Sequence, residues 1–234
     1  MWYYAAMKKI LSALALLLSL FPLSAAWNIG GEAGYALNFI ETATIWPETE
    51  YRPGHGASLS FAAEYDFGNG FSLATGLRYA EKSFGYYHGN GGNPVSDYME
   101  MNHFLELPLT ARYTYDVGNV GLFIGGGGYI GIWFLSQWFG SSENASETEH
   151  GPDIAISSGD IIPLGGSDNL FEAGLIAEAG VSWTVRRDIR LDFTLRYEAS
   201  LTSLVRNTQR DTVHRYNDTL LFTVGCLVPI GGDV

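Results

Sequence analysis

The sequence predicts an all-β protein, an eight-stranded antiparallel up-and-down transmembrane β-barrel. Three observations lead to this fold class. Apolar and polar side chains alternate along eight stretches after residue 27, the links between the stretches are alternately long and short, and an export signal precedes the first stretch. A strand places successive side chains on opposite faces, so the alternation indicates strands with one apolar face. Alternating long and short links are typical of barrels that cross an outer membrane.

The first 26 residues have the pattern of a cleaved export signal. Lys8 and Lys9 form a positive start, an apolar stretch too short to span a bilayer follows at residues 10–21, and small residues stand at 24–26. We expect cleavage before Trp27, with Met7 as an alternative start of the chain. The predicted organisation is a signal peptide over residues 1–26 and a single outer-membrane barrel domain over residues 27–234.

The composition narrows the range of functions. The 234 residues carry 13 Lys and Arg against 25 Asp and Glu, and the formal charge of −12 becomes −14 without Lys8 and Lys9. Proteins that bind nucleic acids need basic surfaces, so no nucleic-acid partner is expected for this acidic chain. Cys226 is the only cysteine, so a disulfide within the chain is excluded. The 29 glycines and the 14% of aromatic residues favour a β protein with tight turns.

The first four strands are separated by tight turns or by longer polar links. Gly68-Asn69-Gly70 separates the second strand from the third, and this is a turn sequence because glycine and asparagine accept the backbone angles of tight hairpins. In the fourth strand, Leu105, Leu107 and Leu109 alternate with Glu106 and Pro108. The four strands are predicted at residues 28–40, 57–67, 71–84 and 103–116.

The last four strands repeat the pattern. The fifth follows a short turn at residues 117–119 and is rich in glycine, from Gly125 to Gly128. The sixth is the clearest, because every odd-numbered residue from Phe171 to Val185 is apolar. In the seventh, apolar residues at odd positions oppose mostly charged residues at even ones. These strands are predicted at residues 120–133, 171–185, 189–198 and 216–230.

The lengths of the links predict how the barrel sits in its membrane. With a periplasmic N-terminus the first strand runs outward, and every long link then falls outside the cell. We therefore expect the outer membrane of a Gram-negative type of bacterium, with a periplasmic N-terminus and long extracellular loops. The long links are predicted at residues 41–56, 85–102, 134–170 and 201–215, and the short ones at 68–70, 117–119 and 186–188.

Charges of both signs share the polar face of the strands. An eight-stranded barrel has an interior just wide enough for side chains, and buried charges need partners. We therefore predict a plugged interior held by ion pairs, with the apolar face and its aromatic ends toward lipid. A soluble lipocalin-type barrel and a narrow solute pore are the alternatives. The predicted interior residues are Glu32, Glu64, Arg78, Glu106, Arg112, Glu172, Glu178, Arg190, Asp192, Arg196 and Glu198.

Two segments resemble a known family. Residues 73–82 and 104–113, which include Leu105-Glu106-Leu107-Pro108-Leu109, look like the third and fourth strands of the PorT-like outer-membrane β-barrel family. The glycine-rich residues 123–131 and residues 191–197 are similar to it as well. The resemblance covers nearly the whole mature chain. It implies an eight-stranded barrel in the outer membrane of a diderm bacterium, mostly without an assigned activity.

The predicted function is non-enzymatic and lies in the long outer loops, in envelope structure, adhesion or the binding of a partner or ligand. Lipopolysaccharide and an envelope protein are the expected partners, and no cofactor or metal is expected. Acidic residues in the third long link leave a divalent-cation site open as an alternative. A lipid-modifying enzyme that uses a loop histidine such as His103 is another, although the chain has neither a His-x-Ser pair nor Gly-x-Ser-x-Gly. The residues predicted for a loop contact are Trp133, Phe134, Trp138 and Phe139.

Overall fold

Nine antiparallel strands make up almost all of the described chain. The computed structural model describes residues 27–42, 49–88, 96–144, 153–161, 169–186, 189–205 and 214–230, so the predicted signal peptide lies outside the described residues. Within the described ranges, no residue is helical. The strands are β1 (Trp27–Thr42), β2 (Thr49–Gly68), β3 (Phe71–His88), β4 (Ser96–Val117), β5 (Val120–Asn144), β6 (Asp153–Ile161), β7 (Phe171–Arg186), β8 (Ile189–Ser200) and β9 (Arg215–Ile230).

Eight of these strands close into a ring. Each pairs with its neighbour in chain order, and β5 pairs with β7 because β6 stands outside the ring. The first and last strands close the barrel along sixteen residues, from Trp27 opposite Ile230 to Thr42 opposite Arg215. The predicted eight-stranded antiparallel barrel is confirmed.

The strands are strongly tilted in the barrel. If backbone partners are followed from Ile29 once around the ring, the path returns to β1 at Phe39, ten residues further along the strand. With the usual rise per residue and strand spacing, this offset corresponds to a tilt of about 40°. This geometry leaves an interior that side chains alone can fill.

The two ends of the barrel differ. At one end, here called the turn end, Gly68, Asn69 and Gly70 have φ angles of 81°, 55° and 81°, and Gly118 makes the next turn with φ of 66°. These left-handed angles suit glycine and asparagine and keep the connections short. The opposite end is called the loop end, and the long links start and finish there.

At the loop end, five strands extend beyond the ring as a separate sheet. β5 continues for twelve residues after its last pairing with β7 at Ile132, about 40 Å of extended chain. Its last nine residues pair with β6 instead. We call this region the upper sheet, and it consists of residues 49–53, 84–88, 96–102, 136–144 and 153–161.

The upper sheet corrects the predicted link at residues 134–170. Much of that link is strand, and β2 and β4 also begin earlier than predicted, at Thr49 and Ser96. The sequence pattern missed this part because residues 140–144 are glycine, serine, glutamate and asparagine, which show no apolar alternation. The backbone ladders with β4 and β6 hold these residues in a strand.

The outward and inward faces of the ring have opposite character. Outward side chains such as Leu59 and Ile124 are 64% and 66% exposed, whereas the inward Arg78 is 1% exposed. An apolar surface around a charged centre is the arrangement expected of a barrel surrounded by lipid. In the described part of the chain, no helix is long and apolar enough to cross a bilayer.

Candidate functional site

The barrel interior contains an ion-pair network that begins near the turn end. The two carboxylate oxygens of Glu64 each accept a hydrogen bond of 2.8 Å from Arg190. Glu64 also accepts one of 3.0 Å from Arg112. Asp192 lies 3.0 Å from Arg190 and 3.7 Å from Arg112. Two guanidinium groups therefore neutralise two carboxylates at this level.

The next level of the network is centred on Glu178. Its carboxylate accepts hydrogen bonds from Nε of Arg112 at 2.5 Å, from Nε of Arg196 at 2.8 Å and from the hydroxyl of Thr110 at 3.0 Å. Glu32 lies 3.9 Å from Arg196 on the opposite side. Arg112 belongs to both levels and so links them into one cluster.

A second cluster fills the interior closer to the loop end. Arg78 donates to Glu106 at 2.8 and 2.6 Å and to Glu198 at 2.5 Å. Lys82 lies 2.8 Å from Glu106 and also pairs with Glu172. Lys82 was absent from the predicted network. It has the same parity as Arg78 on the polar face of its strand, and this signal places it inside the barrel.

Neutral groups complete this second cluster. The Tyr129 hydroxyl donates to Glu172 at 2.6 Å, and the Asn217 amide donates to the other oxygen of that carboxylate at 2.9 Å. The ammonium group of Lys82 also lies 4.6 Å from the ring centre of Tyr129 and 5.0 Å from that of Phe104. Buried charges with this many partners avoid most of the cost of leaving water.

The structure directs all eleven predicted interior residues and Lys82 into one column of charge. Five are cations and seven are carboxylates, a net formal charge of −2. Each member except the half-buried Arg190 is buried, and each takes part in at least one ion pair. The column therefore fills the middle of the barrel, and a polar cavity remains at the turn end.

Glycines make room for this column. A Cβ atom at Gly125 would lie 3.0 Å from a carboxylate oxygen of Glu178 and 3.1 Å from the Arg112 side chain. A Cβ at Gly131 would lie 3.0 Å from the side chain of Glu106. Gly125 and Gly131 thus leave space for the ion pairs that they face.

An apolar layer covers the ion pairs on the loop-end side. It consists of Ala80, Phe104, Trp133 and Leu204, all buried. The Phe104 and Trp133 rings are stacked with centres 6.2 Å apart. Leu204 reaches the layer from the segment after β8, and its amide donates to the Arg215 carbonyl at 2.9 Å.

The predicted loop-contact residues do not form one group. Trp133 lies inside the barrel in the apolar layer, a correction of its prediction as a loop residue. β5 bulges at Phe134, which has no partner on β4, so Phe134 points outward and is 48% exposed. Further on, Trp138 is half-buried and Phe139 is exposed on the opposite face. Only Phe134, Trp138 and Phe139 therefore lie outside the closed interior.

Polar groups meet aromatic rings on the outward face near the loop end. The Tyr79 hydroxyl lies 2.7 Å from Nδ1 of His103, and Tyr197 donates to Asp218 at 2.9 Å. Tyr35 makes the same kind of contact with His55 on another strand pair. Tyrosines at a common height with polar partners are typical of the headgroup layer of a membrane.

A polar cavity opens inside the turn end. Its volume is about 230 Å³, and its lining includes Asp66, Asp116, Ser72 and Arg190. A smaller cavity of about 20 Å³ lies deeper, beside Arg112 and Arg196. Glu64 lines both cavities and accepts a 3.0 Å hydrogen bond from Arg112, which lines the smaller one. Among the described side chains, no group of three or more His, Cys, Asp or Glu is arranged to hold a metal ion. The acidic side chains of the third long link, on which the cation alternative rests, lie outside the described residues.

A closed barrel with an apolar outer surface, aromatic rings near its rim and a charged filled interior defines the class of membrane-spanning β-barrels. The sequence model of the family described as outer membrane protein beta-barrel domain matches residues 20–206. The chain belongs to that family and is an outer-membrane β-barrel protein. The finer PorT-like assignment stays a prediction.

Several solved structures are similar to this chain. Neisserial surface protein A of Neisseria is 17% identical over 87% of this chain and 97% of its own, with a TM-score of 0.45. OprG from Pseudomonas aeruginosa is 12% identical over 88% and 96%, with a TM-score of 0.48. Ail, the attachment invasion locus protein of Yersinia pestis, is 12% identical over 87% and 98%, with a TM-score of 0.38. No curated protein matches the sequence significantly.

Proposed function

We propose that this protein is a closed, non-enzymatic outer-membrane barrel that acts through its loop end outside the cell. The observation that carries the proposal is the contrast between the two halves of the molecule. The interior is filled by ion pairs and by the apolar layer, whereas the upper sheet rises beyond the ring on one side only. A filled barrel can anchor a protein in the membrane, and the upper sheet provides an exposed surface that a partner can bind.

The proposal places the N-terminal end of β1 in the periplasm and the loop end outside. The short turns at residues 68–70 and 117–120 support this orientation, because outer-membrane barrels have short periplasmic turns and longer outer loops. The tyrosine contacts near the loop end then lie in the outer leaflet. There they suit the phosphate and sugar headgroups of lipopolysaccharide, which we propose as a lipid partner.

The proposal assigns no catalytic residue and no cofactor. The lipid-modifying alternative would require a histidine that is free to accept a proton from a nucleophile. In the described chain, Nδ1 of His103 contacts the Tyr79 hydroxyl, and that of His55 contacts Tyr35. Nε2 of His103 has no hydrogen-bond partner among the described residues, but it is buried on the outward face rather than exposed to a substrate. These contacts support a structural role for both rings at the membrane surface. Unchanged labelled lipid A after incubation with the purified protein is the expected result, and its deacylation would contradict the proposal.

A narrow pore is the second candidate, and the cavities at the turn end favour it. Water that enters the cavity of about 230 Å³ is separated from the smaller one by Arg112 and its carboxylate partners. A pore would need these ion pairs to open. We expect planar bilayers that contain the inserted barrel to stay sealed, and steady single-channel currents would instead establish the pore.

Site-specific photo-crosslinking in intact cells tests the proposed action outside the cell. A photoreactive residue at Phe139, which is 46% exposed on the upper sheet, should crosslink to an external protein or to lipopolysaccharide. The matched control is Leu59, a lipid-facing position in the ring that should crosslink to lipid alone. A protease added outside the cells should also cut between β5 and β6. Protection from that protease, together with no crosslink at Phe139, would refute the proposal.

A further inference from the structure

A row of aromatic side chains lines the inner face of the upper sheet. Tyr86 and Tyr98 have the same parity along β3 and β4 as the inward residues below them, and β-bulges in β2 and β5 bring Tyr51 and Trp138 onto the same face. The rings of Tyr86 and Tyr98 are stacked with centres 5.2 Å apart, and Trp138 lies 5.8 Å from Tyr98. Tyr51 on the neighbouring strand lies 6.3 Å from Phe84. Four strands thus contribute to one aromatic surface at the mouth of the barrel, and its tyrosines and tryptophan are half-buried.

Two glycines let the rings lie flat on this surface. A Cβ at Gly140 would come within 2.3 Å of the Tyr98 ring, and a Cβ at Gly159 would lie 3.0 Å from Nε1 of Trp138. Each ring therefore lies over the backbone of the next strand. A ring in this position presents its other face to the mouth of the barrel.

A layer of polar groups without hydrogen-bond partners lies directly below the rings. Asn102 and Ser136 are backbone partners on β4 and β5, and both are fully buried. The amide nitrogen and oxygen of Asn102 and the hydroxyl of Ser136 have no hydrogen-bond partner among the described residues. The same holds for Nε of Arg215 on β9. A buried polar group without a partner costs about 1–3 kcal/mol, so the neighbouring Asn102 and Ser136 side chains indicate a place for a polar ligand.

We propose that the mouth of the barrel binds a pyranose ring of a saccharide. One face of a pyranose carries C–H groups that pack on an aromatic ring, and its hydroxyls both donate and accept hydrogen bonds. Tyr98 and Trp138 supply the aromatic faces. The amide of Asn102 and the hydroxyl of Ser136 supply a donor and acceptors, and the guanidinium of Arg215 supplies a further donor.

The surroundings of the site agree with this ligand. Burial raises the pKa of Tyr86, and Glu100 raises it further against the effect of Arg215, so its hydroxyl stays protonated as a donor. Below the polar layer, the stacked Phe104 and Trp133 close the interior. The sugar therefore stops at this level and is bound without being transported. This inference rests on the proposed function, since it requires the loop end to face outside.

Sugar binding by the folded barrel in lipid nanodiscs tests the proposal. The probes are two purified oligosaccharides, one from the core of lipopolysaccharide and one lactose-type glycan from outside the envelope. Saturation-transfer NMR and tryptophan fluorescence measure their binding. We expect at least one probe to bind, and the one that binds identifies the source of the sugar. If neither the oligosaccharides nor free glucose, galactose or N-acetylglucosamine bind, the proposal is wrong.

Three variants locate the site. Trp138→Ala and Asn102→Leu should each weaken binding at least tenfold, whereas Phe139→Ala, on the opposite face of β5, should leave it within twofold. Slower migration of the heated sample on a gel shows that each variant has folded. Equal losses in Phe139→Ala and Trp138→Ala would overturn the proposed site. If sugar binding fails while Phe139 still crosslinks outside the cell, the saccharide proposal falls and the proposed function stands.

Discussion

Removal of the Lys82 ammonium should strongly destabilise the barrel. Lys82 lies 2.8 Å from Glu106, pairs with Glu172 and is 2% exposed. Lys82→Met keeps most of the side-chain volume but leaves Arg78 as the single cation against three carboxylates of its cluster. Breaking a buried ion pair from one side costs about 3–5 kcal/mol, because the remaining charge stays out of water. We expect a loss of this size in the free energy of unfolding.

Urea unfolding in lipid vesicles measures this loss through tryptophan fluorescence and through the mobility of unheated samples on gels. Glu172→Gln removes one of the carboxylates that Lys82→Met leaves without its cation. The variant with both substitutions should therefore be about 1–3 kcal/mol more stable to unfolding than the sum of the two single effects predicts. Arg52→Met is the control, because Arg52 is half-exposed and lies 3.8 Å from Asp97, and surface pairs contribute about 1 kcal/mol or less. A loss below 1 kcal/mol for Lys82→Met would refute the reasoning.

Three other perturbations test other parts of the molecule. Phe104→Ala removes half of a buried stack and should lower the free energy of unfolding by about 3–5 kcal/mol in the same assay; a change below 1 kcal/mol would remove the apolar layer as a stabilising element. Gly127→Ala would place a Cβ 2.0 Å from the Leu109 carbonyl oxygen and should cost about 1–3 kcal/mol, whereas Gly126→Ala meets only an atom at 3.5 Å and should be nearly neutral. Equal effects would contradict the register of β5 with its neighbours. Cys226 is exposed on the outward face, which lipid should cover in detergent-free vesicles. A water-soluble maleimide should therefore label it only after unfolding. Rapid labelling of the folded protein would show that this face is in contact with water.

The ring of strands could be predicted because its signal is local. Each strand of the ring carries an apolar residue at every second position, as from Phe171 to Val185, and this pattern needs no knowledge of the partner strand. The inward direction of the charges also followed from parity. Lys82 belongs to the same pattern, two positions from Ala80 and four from Arg78, and was nevertheless left out of the network.

Other features depend on pairing and could not be read from one strand. Trp133 faces inward with the parity of Tyr129, whereas the bulge at Phe134 reverses the alternation so that Trp138 also lies on the inner side, and only the register between β4 and β5 shows this change. The pair of Arg78 with Glu198 joins residues that are 120 positions apart. β6 has apolar residues at alternate positions only at Ile154 and Ile156, which is too short a pattern to predict a strand, and its pairing with β5 depends on the register.

The seam between β1 and β9 makes assembly of this barrel a nearly all-or-none event. All other paired strands of the ring are closer in the chain, and most of them are consecutive, whereas Trp27 and Ile230 must meet from opposite ends of the domain. Closing so long a loop carries the largest entropic cost of any strand pairing. The ion pairs that cross the barrel, such as Glu64 with Arg190 at a separation of 126 residues, form only when the seam closes. A barrel whose seam is still open would therefore expose unpaired charges to the bilayer. The rate at which β1 and β9 pair determines how long this open intermediate lasts during insertion.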